Sequence, residues 1–65
     1  MTAINHSVCI IGLGAVGLPT ATYFQSLGCN VIGYDISRRA MVRARDHIPV
    51  GDINEISSDT EVFVI

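Results

Sequence analysis

A chain of 65 residues holds one small domain at most and buries a modest share of its surface, so a scaffold of this size ordinarily leans on disulfides, a metal or a partner. The formal net charge of −2, with all four arginines between Arg38 and Arg45 and no lysine, excludes a general attraction to nucleic acid or anionic lipid. Yet 49% of the residues are hydrophobic and the mean hydropathy is +0.47, which predicts a partial domain whose core is covered by something outside these residues.

Taken in chain order, residues 1–5 are polar and expected to fray. "SVCIIG" reads as a strand apolar on both faces, as in a parallel sheet covered on each side. The apolar run over residues 8–18 carries three glycines, has no basic leader and is too short to span a bilayer. A cytoplasmic protein without membrane contact is therefore expected. A helix is predicted over residues 15–27, with Val16, Thr20, Tyr23, Phe24 and Leu27 as its apolar face, Tyr23 in the core and Gly28 as the stop. "NVIGYD" is a second strand. Ser37 is the N-cap of a second helix over residues 38–46, with Met41, Ala44 and Ile48 toward the sheet and Arg39, Arg43 and Asp46 outward. "PVGDINEISSD" is a loop or a poor helical turn, and "TEVFVI" is a third strand.

This β-α-β-α-β order predicts an α/β fold, a Rossmann-type half with a parallel sheet in strand order 3-2-1. Residues 1–65 are expected to form a partial dinucleotide-binding domain, truncated in its third strand. Cys9 and Cys29 fall about three residues out of register on neighbouring strands, roughly 10 Å apart, which is beyond the roughly 7 Å reach of a disulfide. No C-x-x-C or cysteine–histidine spacing suggests a metal, so both are read as plain thiols.

The chemistry concentrates in "GLGAVG". Gly12 lets the chain turn out of the strand, Gly14 lets backbone approach a pyrophosphate, and Gly17 lets the helix pack closely. The helix start behind them favours negative charge. A lone G-x-G-x-x-G is weak, but here a strand precedes it, a helix follows, and a second strand ends in an acid. That acid is Asp35, 18 residues past Gly17, placed to accept hydrogen bonds from the adenosine ribose and to repel the 2′-phosphate of NADP. The competing reading has Asp35 only capping the next helix or pairing with Arg38 or Arg39. NAD is favoured over NADP, and this unit by itself does not distinguish FAD. The expected cofactor contacts are Gly12, Leu13, Gly14, Ala15, Val16, Gly17, Asp35 and Arg39. No nucleophile–base pair or carboxylate dyad is present, so no catalytic residue is expected here, and as a separate chain the segment is expected to bind NAD weakly or not at all.

"IGLGAVGLPTATYFQSLGCNVIGYDIS" resembles the amino-terminal segment of the UDP-glucose/GDP-mannose (nucleotide-sugar) 6-dehydrogenase family, above all in Val16-Gly17-Leu18-Pro19. The resemblance covers residues 8–39. It implies an NAD-dependent oxidoreductase of polysaccharide biosynthesis that oxidises the C6 alcohol of a nucleotide sugar to a carboxylate through a cysteine thiolate. That cysteine and the substrate contacts would lie beyond these residues, in a full-length form expected to be a homo-oligomer. It also implies pyrophosphate at residues 12–17, ribose at Asp35 and a basic neighbour at Arg39. Ala15 stands where the family usually has an aromatic, Cys29 where it often has histidine, and the usual segment before the third strand is replaced by "RDHIPVGDINEISSD". Alternatives are a β-hydroxyacid or prephenate-type dehydrogenase, or a non-catalytic NAD-sensing domain of the kind that gates potassium transport, whose later segment Gly51-Asp52-Ile53-Asn54 echoes.

Overall fold

The computed structural model describes residues 6–65; the frayed start expected over residues 1–5 lies outside the described residues. Three strands form one parallel sheet: β1 (Ser7–Ile11), β2 (Asn30–Tyr34) and β3 (Glu61–Val64). Two helices, α1 (Gly17–Ser26) and α2 (Arg38–Ala44), follow the first two strands. β1 is central because Val8, Cys9 and Ile10 are all buried, and a strand apolar on both faces needs cover on both.

The strand order is β2-β1-β3, which corrects the expected 3-2-1. Cys9 lies opposite Ile32 on one side and Val62 on the other. The place outside β2 is taken by Val50, which bridges to Gly33 in parallel. Gly33 N–H donates to the Pro49 carbonyl at 2.9 Å, and Gly51 N–H to the Gly33 carbonyl at 3.1 Å. Residue 50 is thus a one-residue strand in third position, and the strand counted third from sequence is the fourth of the doubly wound order 3-2-1-4. Between them Asp52 caps a 3-10 turn (Ile53–Glu55) through a reciprocal pair with Glu55.

The helices pack by different rules. On α2, Ala40, Ala44 and the following Ile48 are buried and Met41 packs against them, while Arg39, Arg43 and Asp46 face outward. Ser37 Oγ accepts from Ala40 N–H at 3.2 Å, the expected N-cap. On α1 the buried residues are Gly17 and Ala21, with Leu18 and Phe24 alongside. The expected apolar face is corrected here: Tyr23 is 62% exposed and Val16 64%, so neither belongs to the core. Small residues win that face because α1 lies directly on the β1 turn, where bulk does not fit. Phe24 instead reaches β3, stacking on Phe63 with ring centroids 5.3 Å apart. The offset of Cys9 and Cys29 is as expected, both thiols are free, and burial pushes the Cys9 thiol above its usual pKa.

Candidate functional site

The site stands at the carboxyl ends of β1 and β2, beside the point where the strand order reverses between β1 and β3. In open α/β sheets this is where ligands bind. The register carries Ile11 opposite Tyr34, so the turn leaving β1 and the turn leaving β2 emerge side by side. Gly12 N–H closes the ladder on the Tyr34 carbonyl at 2.8 Å.

Each glycine of the turn meets a different demand. Gly12 has φ +103°, a left-handed conformation, and a Cβ there would stand 2.8 Å from the Ile65 carbonyl oxygen. A Cβ on Gly17 would overlap the Gly12 carbonyl oxygen, backbone against backbone. Around Gly14 nothing lies within 4 Å. The first and third glycines therefore serve the fold, and the middle one faces open space.

Around that space the helix start is left uncapped. Val16, at the N-cap, makes no side-chain cap bond, and the first turn holds no acid. Among the described residues, the N–H groups of Gly14, Ala15, Val16 and Gly17 have no protein acceptor, whereas Leu18 N–H donates to Gly14 at 3.2 Å and Thr20 N–H to Val16 at 3.1 Å. Pro19 has no N–H to satisfy. A cluster of unpaired donors at the positive end of a helix fits a phosphate group.

Asp35 faces this cluster from the end of β2. Its Oδ2 accepts from Leu13 N–H at 2.7 Å and its Oδ1 from Ser37 N–H at 2.7 Å. Those two bonds, with a smaller pull from Arg43, hold its carboxyl below the usual carboxylate range against a small opposing effect of burial. Asp35 is thus ionised at neutral pH. Each oxygen has a lone pair left, because an ionised carboxylate offers about four acceptor positions and two are used. A ribose diol fits what remains. The Leu13 side chain is 1% exposed and points into the core, so only its backbone belongs to the site. Arg38 and Arg39 are exposed at the start of α2.

The Asp35–Leu13 bond joins residues 22 apart and was missed by sequence reasoning. The parallel register was the signal that could have found it. Among the described residues no group of three or more histidine, cysteine, aspartate or glutamate side chains could hold a metal, and no helix is long and apolar enough to cross a membrane.

The chain is 54% identical over 37 residues to a D-lactate dehydrogenase of Streptococcus agalactiae, covering 57% of this chain and 11% of that protein. It is 39% identical over 59 residues to a UDP-N-acetyl-D-mannosamine dehydrogenase of Campylobacter jejuni, covering 91% of this chain and 14% of that protein. It is 38% identical over 59 residues to an NDP-N-acetyl-D-galactosaminuronic acid dehydrogenase of Ralstonia nicotianae, covering 91% and 13%. The chain therefore spans about an eighth of the length of these relatives. No solved structure matches it. The family described as D-isomer specific 2-hydroxyacid dehydrogenase, NAD binding domain, matches residues 2–65. With its glycine turn, open helix start and acid-tipped second strand, the chain belongs to that family of NAD-binding domains.

Proposed function

We propose that this chain is the cofactor-holding segment of an NAD-dependent dehydrogenase that oxidises the C6 alcohol of a nucleotide sugar to a carboxylate. The observation that carries the cofactor half is the meeting of the open Gly14 position with the ionised Asp35 carboxylate at one end of the sheet. Gly14, Ala15, Val16 and Gly17 offer their N–H groups to the pyrophosphate, with Gly12 and Leu13 shaping the approach. Asp35 accepts from the ribose hydroxyls and repels a 2′-phosphate, and Arg39 flanks the adenosine side. When bound, NAD supplies a two-electron hydride acceptor. This chain's residues bind and orient it; the groups that move protons and hold the sugar lie elsewhere in the protein.

The substrate half is supported by Val16-Gly17-Leu18-Pro19 and by likeness over 91% of the chain to a UDP-N-acetyl-D-mannosamine dehydrogenase and an NDP-N-acetyl-D-galactosaminuronic acid dehydrogenase. A second reading, oxidation of a short D-2-hydroxy acid, is favoured by the family match and by the 54% identity to a D-lactate dehydrogenase. In either case residues 1–65 are part of a dinucleotide-binding domain. A cytoplasmic protein fits the two free thiols, which suit a reducing compartment, and a homo-oligomer is the expected full-length form.

NADH formation by the full-length protein separates the readings. We expect turnover with UDP-N-acetyl-D-mannosamine or a related nucleotide sugar and none with D-lactate. Turnover with D-lactate alone would select the second reading.

A further inference from the structure

The Asp35 carboxylate does more than leave lone pairs open to a ligand. Its two oxygens reach separate N–H groups on separate turns, Leu13 in the glycine turn and Ser37 in the turn before α2. Leu13 lies between Gly12, which is held to β2 by its N–H, and Gly14, which faces the open space. The Leu13 side chain packs over Gly33 of β2, and beyond Leu13 the next backbone bonds are those of the helix start, so among the described hydrogen bonds the one from Leu13 N–H to Asp35 is what fixes the backbone of this part of the turn to the end of the second strand.

We infer that Asp35 is a positioning residue for the glycine turn, setting where the backbone from Leu13 to Gly14 stands before any ligand arrives. The inference deepens the cofactor reading above, and its ligand arm rests on that reading. Both N–H groups are donors, so the position needs two acceptors on one rigid plane. A carboxylate provides them. An asparagine provides one, and turns its NH2 against the other N–H. Hydrogen bonds to a charged acceptor are the stronger kind, and a donor left facing another donor is destabilising. An exchange of Asp35 intended only to admit a phosphorylated ribose would therefore also loosen the turn that holds the pyrophosphate.

The test reads the turn with and without a ligand. In 15N-leucine-labelled protein free of cofactor, amide exchange is followed at Leu13 and at Leu27, whose N–H is held within α1's last turn, in the wild type, Asp35→Asn and Asp35→Ser. Exchange at Leu13 is expected to quicken about tenfold or more in both variants, with Leu27 unchanged as the sign that the fold persists. The affinity for 2′,3′-dideoxy-ADP, which has a pyrophosphate but neither ribose hydroxyl, is then measured in the full-length protein. Positioning predicts about a tenfold loss in Asp35→Asn, whereas a role through the ribose alone predicts none. Unchanged Leu13 exchange in Asp35→Asn, or an unchanged affinity for the dideoxy nucleotide, would overturn the inference. If the wild type binds neither this nucleotide nor NAD while Leu13 exchange still depends on Asp35, the cofactor reading fails and the positioning role stands.

Discussion

Replacing Gly17 by alanine is expected to collapse the β1–α1 unit, while the same change at Gly14 leaves the fold intact. The added Cβ at residue 17 would overlap the Gly12 carbonyl oxygen. Both partners are backbone, so no rotamer change relieves the clash, and α1 must lift from the turn. Overpacking typically costs about 1–3 kcal/mol, and an overlap with backbone that no rotamer relieves belongs at the upper end of that range. A core this small rarely supplies more than about 3–5 kcal/mol, so the change removes a large part of it. At Gly14 nothing lies within 4 Å and φ is not left-handed. There alanine also restricts the unfolded chain, with an effect between about zero and 1 kcal/mol of stabilisation. Thermal unfolding followed by circular dichroism measures both. A Gly17→Ala protein that melts with the wild type would mean that α1 does not rest on the turn as described.

Leu13→Ala carries the second large effect. The side chain is 1% exposed, and a Cβ added on Gly33 would stand 2.8 Å from Leu13 Cδ2 and 2.7 Å from Ile48 Cδ1. Leu13 and Ile48 thus meet over the bare backbone of β2, and truncation at 13 opens a cavity between β2 and α2. Losses for buried leucine to alanine run about 2–5 kcal/mol. The urea midpoint is expected to fall toward zero, whereas Leu13→Met, which conserves volume, should cost less than about 1.5 kcal/mol. Equal midpoints for the two variants would contradict the buried placement. The residue sits inside the motif proposed to meet the cofactor, yet its side chain serves the core.

These residues also show what the amino-acid order makes legible. The elements of the βαβαβ unit and the outward arginines of α2 followed from patterning and a cap, because α2 meets the sheet through ordinary apolar spacing. The face of α1 did not. Its contact is made by Gly17 and Ala21, which carry little hydrophobic signal, while Val16, Tyr23 and Leu27 carry much and lie outward. Close approach selects for small residues, and a pattern weighted by hydrophobicity reads the opposite side. The strand order is hidden for a related reason. The third position is a single bridging residue, Val50, too short for any alternation to reveal, so the next apolar run takes its place in a pattern-based order. In the site, the glycines and Asp35 stood out by spacing. Their mutual bond did not, since it depends on the pairing register of β1 and β2.

The turn over residues 12–17 and Asp35 are proposed to hold NAD together. Titration of NAD into the 15N-labelled protein, followed at the backbone amides, reports even weak binding there. The shifts are expected to concentrate at Gly14, Ala15, Val16 and Gly17 and at the residues around Asp35, and Gly14→Val is expected to abolish them while the protein stays folded. Shifts centred elsewhere, or the same response in Gly14→Val, would contradict this placement of NAD.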